Sequence, residues 1–162
     1  MYKATARWMI KRNIARLNAG DYGPALAMYA EDATLAFPGD NTYATMFRPH
    51  QGGVRSHPTH RGRAEIEAFL QRYTRDGIQM VVEDILVNGP PWNARAAVRC
   101  HDWIPGDPRP YANRAVLWVR TRWGRIVEHE DYEDTERTSA YDRVLAAAAD
   151  GAAARSVVEL PA

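Results

Sequence analysis

The chain has 162 residues, 46% hydrophobic and 25% charged, with 21 lysines and arginines against 20 acids. That size and composition suit one domain with a single core, and the near-even charge makes no electrostatic case for a nucleic-acid partner. Cys100 is the only cysteine, which excludes an intramolecular disulfide and an all-cysteine metal site.

The chain in order begins with a helical pattern over Ala4–Ala19. Ile10, Ile14 and Leu17 recur at helical spacing, with Trp8 near the same stripe, and Gly20 stops the run. Asp21 and Pro24 predict a second helix reaching Ala30, capped by the first and opened by the second. Ala33–Phe37 reads as a strand ended by Pro38 and Gly39. The segment Asp40–His60 has no sustained period, so we expect a mobile lid, helped by Gly52 and Gly53, with a short strand near Met46–Arg48. It holds His50, His57 and His60, but no acid or cysteine stands beside them at helical spacing, and no metal site is expected.

Arg63–Asp76 is the clearest helix, with Ile66, Phe69, Leu70 and Tyr73 on one face and Gly77 at its end. Four strands follow: Ile78–Val87, Ala94–Ile104, Tyr111–Trp123 and Ile126–Tyr132, separated by the turn-forming "NGPPW", "PGDPRP" and Gly124. Ser139–Ala154 predicts a last helix. The order implies an α+β fold, with helices segregated from an antiparallel sheet that, strongly curved around them, would leave a conical cavity. We expect a single domain over 1–150 and a loosely held tail over 151–162. The N-terminus lacks the apolar core of a signal peptide, and no run nears the ~20 apolar residues of a membrane span. The expectation is a soluble cytoplasmic protein with no membrane partner.

Three stretches carry a family resemblance: "LNAGDYGPALAMYAEDATLAFPG", "HRGRAEIEAFLQRY" and "WGRIVEHEDYEDT". In their order, over Ala4–Leu145, the chain resembles the nuclear transport factor 2-like superfamily, and within it the SnoaL-like and ketosteroid isomerase-like proteins. The resemblance implies a cone-shaped roll, a strongly curved mixed β-sheet wrapped around the N-terminal helices, with a small-molecule pocket and a homodimer through the outer face of the sheet. It spans several activities: isomerase, cyclase, dehydratase, epoxide hydrolase and non-catalytic subunit, for example of a dioxygenase. Compared with limonene epoxide hydrolase, Arg99 and Asp131 match an arginine and an aspartate, but His101 stands for the middle acid and His129 for a tryptophan. Thr34 and Ala36 fall where that enzyme holds its water. The resemblance to scytalone dehydratase fits His101, and that to SnoaL-like cyclases carries Asp131 as the base.

These considerations nominate His101 and Asp131 as a catalytic acid/base pair, since a carboxylate can orient an imidazole that titrates near neutrality. Strand parity is in tension with the family pattern. The apolar positions Ala96, Val98 and Cys100 would turn Arg99 and His101 outward and Asp102 inward, whereas the resemblance implies the reverse. We take the family orientation as the expectation. Asn113 shares a face with Ala115 and Leu117 and is expected to bind a substrate oxygen. Arg99 would supply positive charge to an oxyanion. Val127, His129 and Asp131 share a face, which brings His129 into the pocket, with Tyr29 and Phe37 as its walls. Trp118, Arg120 and Arg122 form a solvent or partner face. "GDYGPA" and "PHQGGV" lack the spacing of a nucleotide-binding loop, so no cofactor is expected. The function expected is cofactor-independent acid/base chemistry on a small, apolar carbonyl or polycyclic substrate, with a non-catalytic binding protein or an altered epoxide hydrolase as alternatives.

Overall fold

A computed structural model describes residues 1–49, 57–107 and 110–158, with residues 149–158 described by backbone alone. Six strands form one sheet in the order β2-β1-β6-β5-β4-β3. They are β1 (Tyr29–Ala36), β2 (Thr59–Arg61), β3 (Gln79–Asn88), β4 (Ala94–Ile104), β5 (Tyr111–Arg122) and β6 (Arg125–Glu133). β1 runs parallel to β6, and every other pairing is antiparallel. Register shifts at Val82/Asp84 and Arg120/Thr121 interrupt the long meander. Such bulges increase local twist and bend the sheet. The helices are α1 (Tyr2–Asn18), α2 (Gly23–Leu26), α3 (Gly62–Arg75) and α4 (Thr135–Val158). Among the described residues no helix is long and apolar enough to cross a membrane.

The predicted face of α3 is the buried one: Ile66, Phe69, Leu70 and Tyr73 pack with Leu35 and Phe37 of β1 and its end. Each fully buried side chain of this kind contributes roughly 1.5–3 kcal/mol. The opposite edge of the sheet is β3, and α1 lies along it. Asn18 exchanges hydrogen bonds with the backbone of Met80 at 2.8 and 2.9 Å, Arg7 donates to the Ile85 carbonyl at 3.1 Å, and the Tyr2 hydroxyl donates to the Gly89 carbonyl. An edge strand covered in this way cannot template further pairing. The anchoring also fixes direction: the N-terminus of α1 lies beside the β3–β4 turn.

The second helix is far shorter than its sequence signals suggest. α2 ends at Leu26, and Tyr29 and Ala30 belong to β1 because the Met28 carbonyl accepts from Ile126 N–H at 2.7 Å and β1 docks on β6. Trp8 is 59% exposed, on the outer side of α1, with the Arg12 guanidinium over its ring, so it is not part of the core. The described part of the expected lid is packed. Asn41 accepts from the Tyr43 and Ala44 amides, Tyr43 and Ala44 are buried, and Arg48 forks onto Glu65 at 2.6 and 2.7 Å. The Arg48 hydrogen bonds hold the Glu65 carboxyl down at about 2. Met46–Arg48 forms turns instead of a strand, and pairing with β1 falls to Thr59–Arg61. His50, Gly52 and Gly53 lie outside the described residues. α4 starts four residues earlier than its periodicity indicates, because Asp134 accepts from the Glu136 amide at 3.1 Å and caps it.

Two turns at one end of the sheet use positive φ differently. Trp123 and Gly124, at φ 51° and 77°, make the two-residue hairpin between β5 and β6. Gly89, at φ 86°, has no room for a side chain: a Cβ there would lie 2.5 Å from the Asn93 carbonyl oxygen, whereas one on Gly124 would meet nothing within 4 Å. Gly124→Ala should therefore cost only the left-handed backbone penalty, about 1–2 kcal/mol. Gly89→Ala should cost clearly more, and equal urea midpoints for the two variants would refute this.

Candidate active site

Side chains alternate across a pleated strand, so three adjacent strands with matched register put every second residue on one surface. Here Cys100 pairs with Ala115, Leu117 with Asp131, and Ala115 with Glu133. The concave face of the sheet therefore carries Cys100 and Asp102 from β4, Ala115 and Leu117 from β5, and His129, Asp131 and Glu133 from β6. This face encloses a cavity of about 550 Å³ with α1 and α3 on its other side. Its walls are mainly apolar, with Ile10, Ile14, Phe69, Val98 and Leu117 among them. The charged or titratable groups on its sheet wall are Arg95 at one end and Tyr29, His129 and Asp131 at the other. Beyond Asp131 lies a narrower chamber of about 50 Å³, bounded by Phe37, Tyr73, Asp102, Tyr111 and Glu133.

Asp131 lies on the boundary of both spaces. Its Oδ1 is 2.8 Å from His129 Nε2, and both side chains are largely buried. The ring N–H is not aligned on that oxygen, so this is a close charge contact without an aligned hydrogen bond. The other ring nitrogen, Nδ1, is 2.6 Å from the Tyr29 hydroxyl. Burial, with the Asp131 charge second, pushes the Tyr29 phenol well above its ordinary range, so it keeps its proton. A protonated phenol donates to Nδ1, which leaves the proton of the neutral ring on Nε2, facing Asp131. Tyr29, His129 and Asp131 thus form one chain, reaching from β1 across β6.

The chamber behind them concentrates acids. Burial, then the Asp131 charge, pushes Asp102 up to about 6 and Glu133 up to about 8. Tyr73 Oη and Asp102 Oδ1 are buried without a hydrogen-bond partner. At neutral pH Glu133 holds a proton that it can donate. Cys100, fully buried against the Ala115 carbonyl at 3.6 Å, is pushed up to about 12 by burial and is no nucleophile.

Several expected positions are corrected. His101 does not meet Asp131. It lies on the convex face, 3.3 Å from Glu83 and stacked on Trp103. Arg99 lies there too, 3.0 Å from Glu83 and exposed, with Arg114 on the same carboxylate at 2.9 Å. The parity of Ala96, Val98 and Cys100 decides the strand's orientation, because those apolar side chains gain only by facing inward. Asn113 is inward and buried but fully engaged. Its amide donates to the Asp134 carbonyl at 3.1 Å and Thr138 at 3.2 Å, and its oxygen accepts from the Arg114 amide. It anchors the start of α4 and does not line either space. Phe37 bounds the chamber and not the main cavity. Of the histidines in the 40–60 segment, His57 is 3.4 Å from Glu130, while His60 is buried among Phe37, Phe47 and Phe69, and burial lowers it to about 4. Among the described residues no group of three or more such side chains has the geometry of a metal site. Asp102 is inward, as strand parity alone indicated, and Glu133 is the site residue that sequence reasoning passed over. Glu133 shares the parity of His129 and Asp131, and that was the available signal.

The SnoaL-like domain family matches residues 10–129. No curated protein matches the chain. Solved structures similar to it include a loop-truncation variant of IdmH, at 24% identity and TM-score 0.63, covering 84% of this chain and 98% of that one. A nuclear transport factor 2-like protein from Burkholderia xenovorans is 18% identical with TM-score 0.56, over 85% and 95% of the two chains. A Kribbella flavida protein provisionally assigned as a ketosteroid isomerase is 21% identical with TM-score 0.58, over 80% and 77%. At these identities the structures establish a shared fold.

The acid chamber sets a pH dependence of stability. A carboxyl raised to about 8 binds more protons folded than unfolded from its unfolded value up to that pH, so stability falls as pH rises through the window. Asp102 acts the same way up to about 6, while His60, lowered to about 4, acts oppositely below its unfolded value. Between roughly pH 6.5 and 8, Glu133 is left to dominate. Glu133→Gln should flatten that decline and exceed the parent at pH 9 by on the order of 2–4 kcal/mol. Thermal unfolding at a series of pH values measures this, and an unchanged slope would contradict it.

Proposed function

The chain belongs to the SnoaL-like domain family, and on that premise we propose that it is an acid/base enzyme acting on a small, largely apolar carbonyl compound. The reaction class is proton abstraction next to the carbonyl. The observation that carries this reading is a carboxylate at the inner end of an apolar cavity of about 550 Å³, held by an imidazole whose other nitrogen faces a buried phenol. A cavity of that size and lining suits a drug-sized organic molecule with few polar groups.

Asp131 is the base. Its Oδ1 lacks an aligned hydrogen bond and lies on the cavity boundary, so a lone pair is open to a substrate proton. It removes a proton from the carbon next to the carbonyl, and the electron pair moves to the carbonyl oxygen as an enolate. His129, with its proton on Nε2, positions the carboxylate and is itself oriented by Tyr29. The enolate then has three balanced exits. The proton returns to a different carbon, giving an isomer. A β-hydroxyl leaves as water after taking a proton from an acid such as Glu133, giving dehydration. The enolate carbon attacks a second carbonyl of the same molecule, and the alkoxide so formed takes up the proton removed by Asp131, giving a hydroxylated ring. The solved relative provisionally assigned as a ketosteroid isomerase lends support to the first. The chemistry uses no cofactor.

The convex face supports a further part of the reading, a homodimer through the outer face of the sheet. Val81, Val116, Trp118 and Tyr132 are all more than a third exposed there, and apolar patches on a sheet face commonly mark interfaces. Light scattering at micromolar concentration should give twice the chain mass, and Trp118→Glu should give a monomer. A monomeric parent protein would contradict this.

The enzymatic reading is tested by proton exchange, which needs no knowledge of the natural substrate. The protein should catalyse incorporation of deuterium from D2O into apolar cyclic ketones such as 2-tetralone, followed by NMR. Asp131→Asn should lower that rate by roughly 10²–10⁴, the range for loss of one general base. No exchange above buffer, or an Asp131→Asn variant as fast as its parent, would sink the reading and favour a binding protein.

A further inference from the structure

The inner chamber is short of positive charge and of hydrogen-bond donors. Its walls carry three carboxyl groups, Asp102, Asp131 and Glu133, and six aromatic rings, those of Phe37, Tyr43, Phe69, Tyr73, Tyr111 and Tyr141. Among the described residues no lysine, arginine or histidine lines it. His129 lines the main cavity alone, and its two nitrogens face Asp131 and Tyr29. A buried carboxylate ordinarily has a cation or several donors against it. Here the Tyr111 hydroxyl reaches Asp102 only at 3.5 Å, and the Asn113 amide reaches Glu133 only at 3.4 Å.

Three oxygens on these walls are buried without a partner: Tyr73 Oη, Asp102 Oδ1 and Asp131 Oδ1. Tyr73 comes from α3, on the wall facing the sheet, and is only 6% exposed. Burial, then the Asp102 charge, holds the proton on its phenol. All three oxygens can accept a hydrogen bond. An alkylammonium supplies three N–H donors and one positive charge, and aromatic faces attract it. An anion would meet three carboxyl groups instead, and a neutral oxygen would bring no charge to offset theirs. The space also selects. About 50 Å³, at roughly 10–15 Å³ for each water-sized group, admits an ammonium on a linear tether and no ring. Phe69, Tyr73, Met80, Leu117 and Asp131 line both the chamber and the main cavity, so one ligand can reach from one into the other.

We propose that the inner chamber is a subsite for an alkylammonium group, so that the ligand is an apolar primary amine: its ammonium sits among Tyr73, Asp102 and Glu133, and its apolar body fills the main cavity. This deepens the enzymatic reading and rests on it only for the reaction. With the carbonyl at Asp131 and the amine beyond it, the substrate class is an apolar amino ketone. Glu133 is faced by Asp131 on its own strand, by Asp102, Tyr111 and Asn113 from β4 and β5, by Tyr73 from α3, and by Asp134 and Thr138 at the start of α4. None of these is a cation. An ammonium seated among them offsets the neighbouring charges, so Glu133 gives its proton to solvent as the ligand binds. The ammonium then becomes the proton-bearing group behind Asp131.

Three matched probes with one ring and a linear tether test this: 4-phenylbutylammonium, 4-phenylbutan-1-ol and 4-phenylbutanoate, each titrated against the native protein by calorimetry at pH 7. The ammonium should bind about tenfold or more tightly than the alcohol, the gap expected of one charge-assisted contact, and the carboxylate should bind weakest. Repeating the ammonium titration in phosphate and in Tris, which differ in ionisation enthalpy, should show close to one proton released per ligand. The preference should persist in added salt, because buried pairs are screened little. A Glu133→Gln, Asp102→Asn double variant, its melting temperature checked alongside, should lose both the preference and the proton release. Equal affinity for ammonium and alcohol, tightest binding of the carboxylate, or a preference that salt abolishes or the double variant keeps would each overturn the proposal. Deuterium exchange into 2-tetralone by the same protein decides the enzymatic reading separately. Exchange without an ammonium preference overturns the subsite alone, and an ammonium preference without exchange supports the subsite and overturns the reaction.

Discussion

The contact between His129 and Asp131 is what the site depends on. An ionised carboxylate in an apolar enclosure loses its hydration, and it stays charged only if something nearby replaces the water. Here one imidazole N–H does so partially, at 2.8 Å and out of line. That contact holds the carboxylate in place and leaves its Oδ1 without an aligned hydrogen bond. Removing one partner from a buried pair commonly costs ~3–5 kcal/mol, so the two residues are linked in stability as well as in chemistry. Tyr29 completes the arrangement by fixing the ring's tautomer. Its own proton is held by burial.

The rest of the fold serves that contact. The bulges in β3 and β5 bend the sheet so that its concave face can enclose a volume. α1, pinned at both ends to β3, closes one side of the cone, and α3 fills the inner part with Phe69 and Tyr73. Asn113 contributes indirectly, tying the Asp134 carbonyl and Thr138 together so that α4 starts directly after β6. The same enclosure acts on the neighbours of Asp131. Three carboxyl groups share this space, and burial together with the Asp131 charge pushes Asp102 and Glu133 toward protonation. In the proposed reaction, a carboxylate at the boundary and a protonated acid behind it supply the two halves of proton-transfer chemistry.

Much of the fold was legible because period and punctuation agree. The face of α3 and the spans of β4, β5 and β6 follow from apolar periodicity and from Gly, Pro and Asn at the turns. The errors have physical causes. Tyr29 and Ala30 continue a helical pattern locally, but a parallel partner strand 97 positions away from Tyr29 captures them. Trp8 lies near the apolar stripe of α1, yet it falls on the side that no strand covers. His101 was nominated through a family pattern against the strand's own alternation, and alternation prevailed because Cys100, Val98 and Ala96 must be buried together. His129 and Asp131 were readable as a face-sharing pair. Their link to Tyr29 was not, since it requires the parallel docking of β1 on β6. Glu133 had the right parity but resembled a solvated edge, because a strand-end glutamate gives no sign that a helix will cover it.

The most direct test of the Tyr29–His129–Asp131 chain is the protonation of the His129 ring itself. Nitrogen-15 labelling of histidine, with long-range proton–nitrogen correlation at pH 8, distinguishes the tautomers, and His129→Gln identifies the signal. The arrangement predicts a neutral ring fixed with its proton on Nε2 and with Nδ1 as a hydrogen-bond acceptor, and a loss of that acceptor signature in Tyr29→Phe. A ring averaging between tautomers as in free solution, or one protonated on Nδ1, would contradict it.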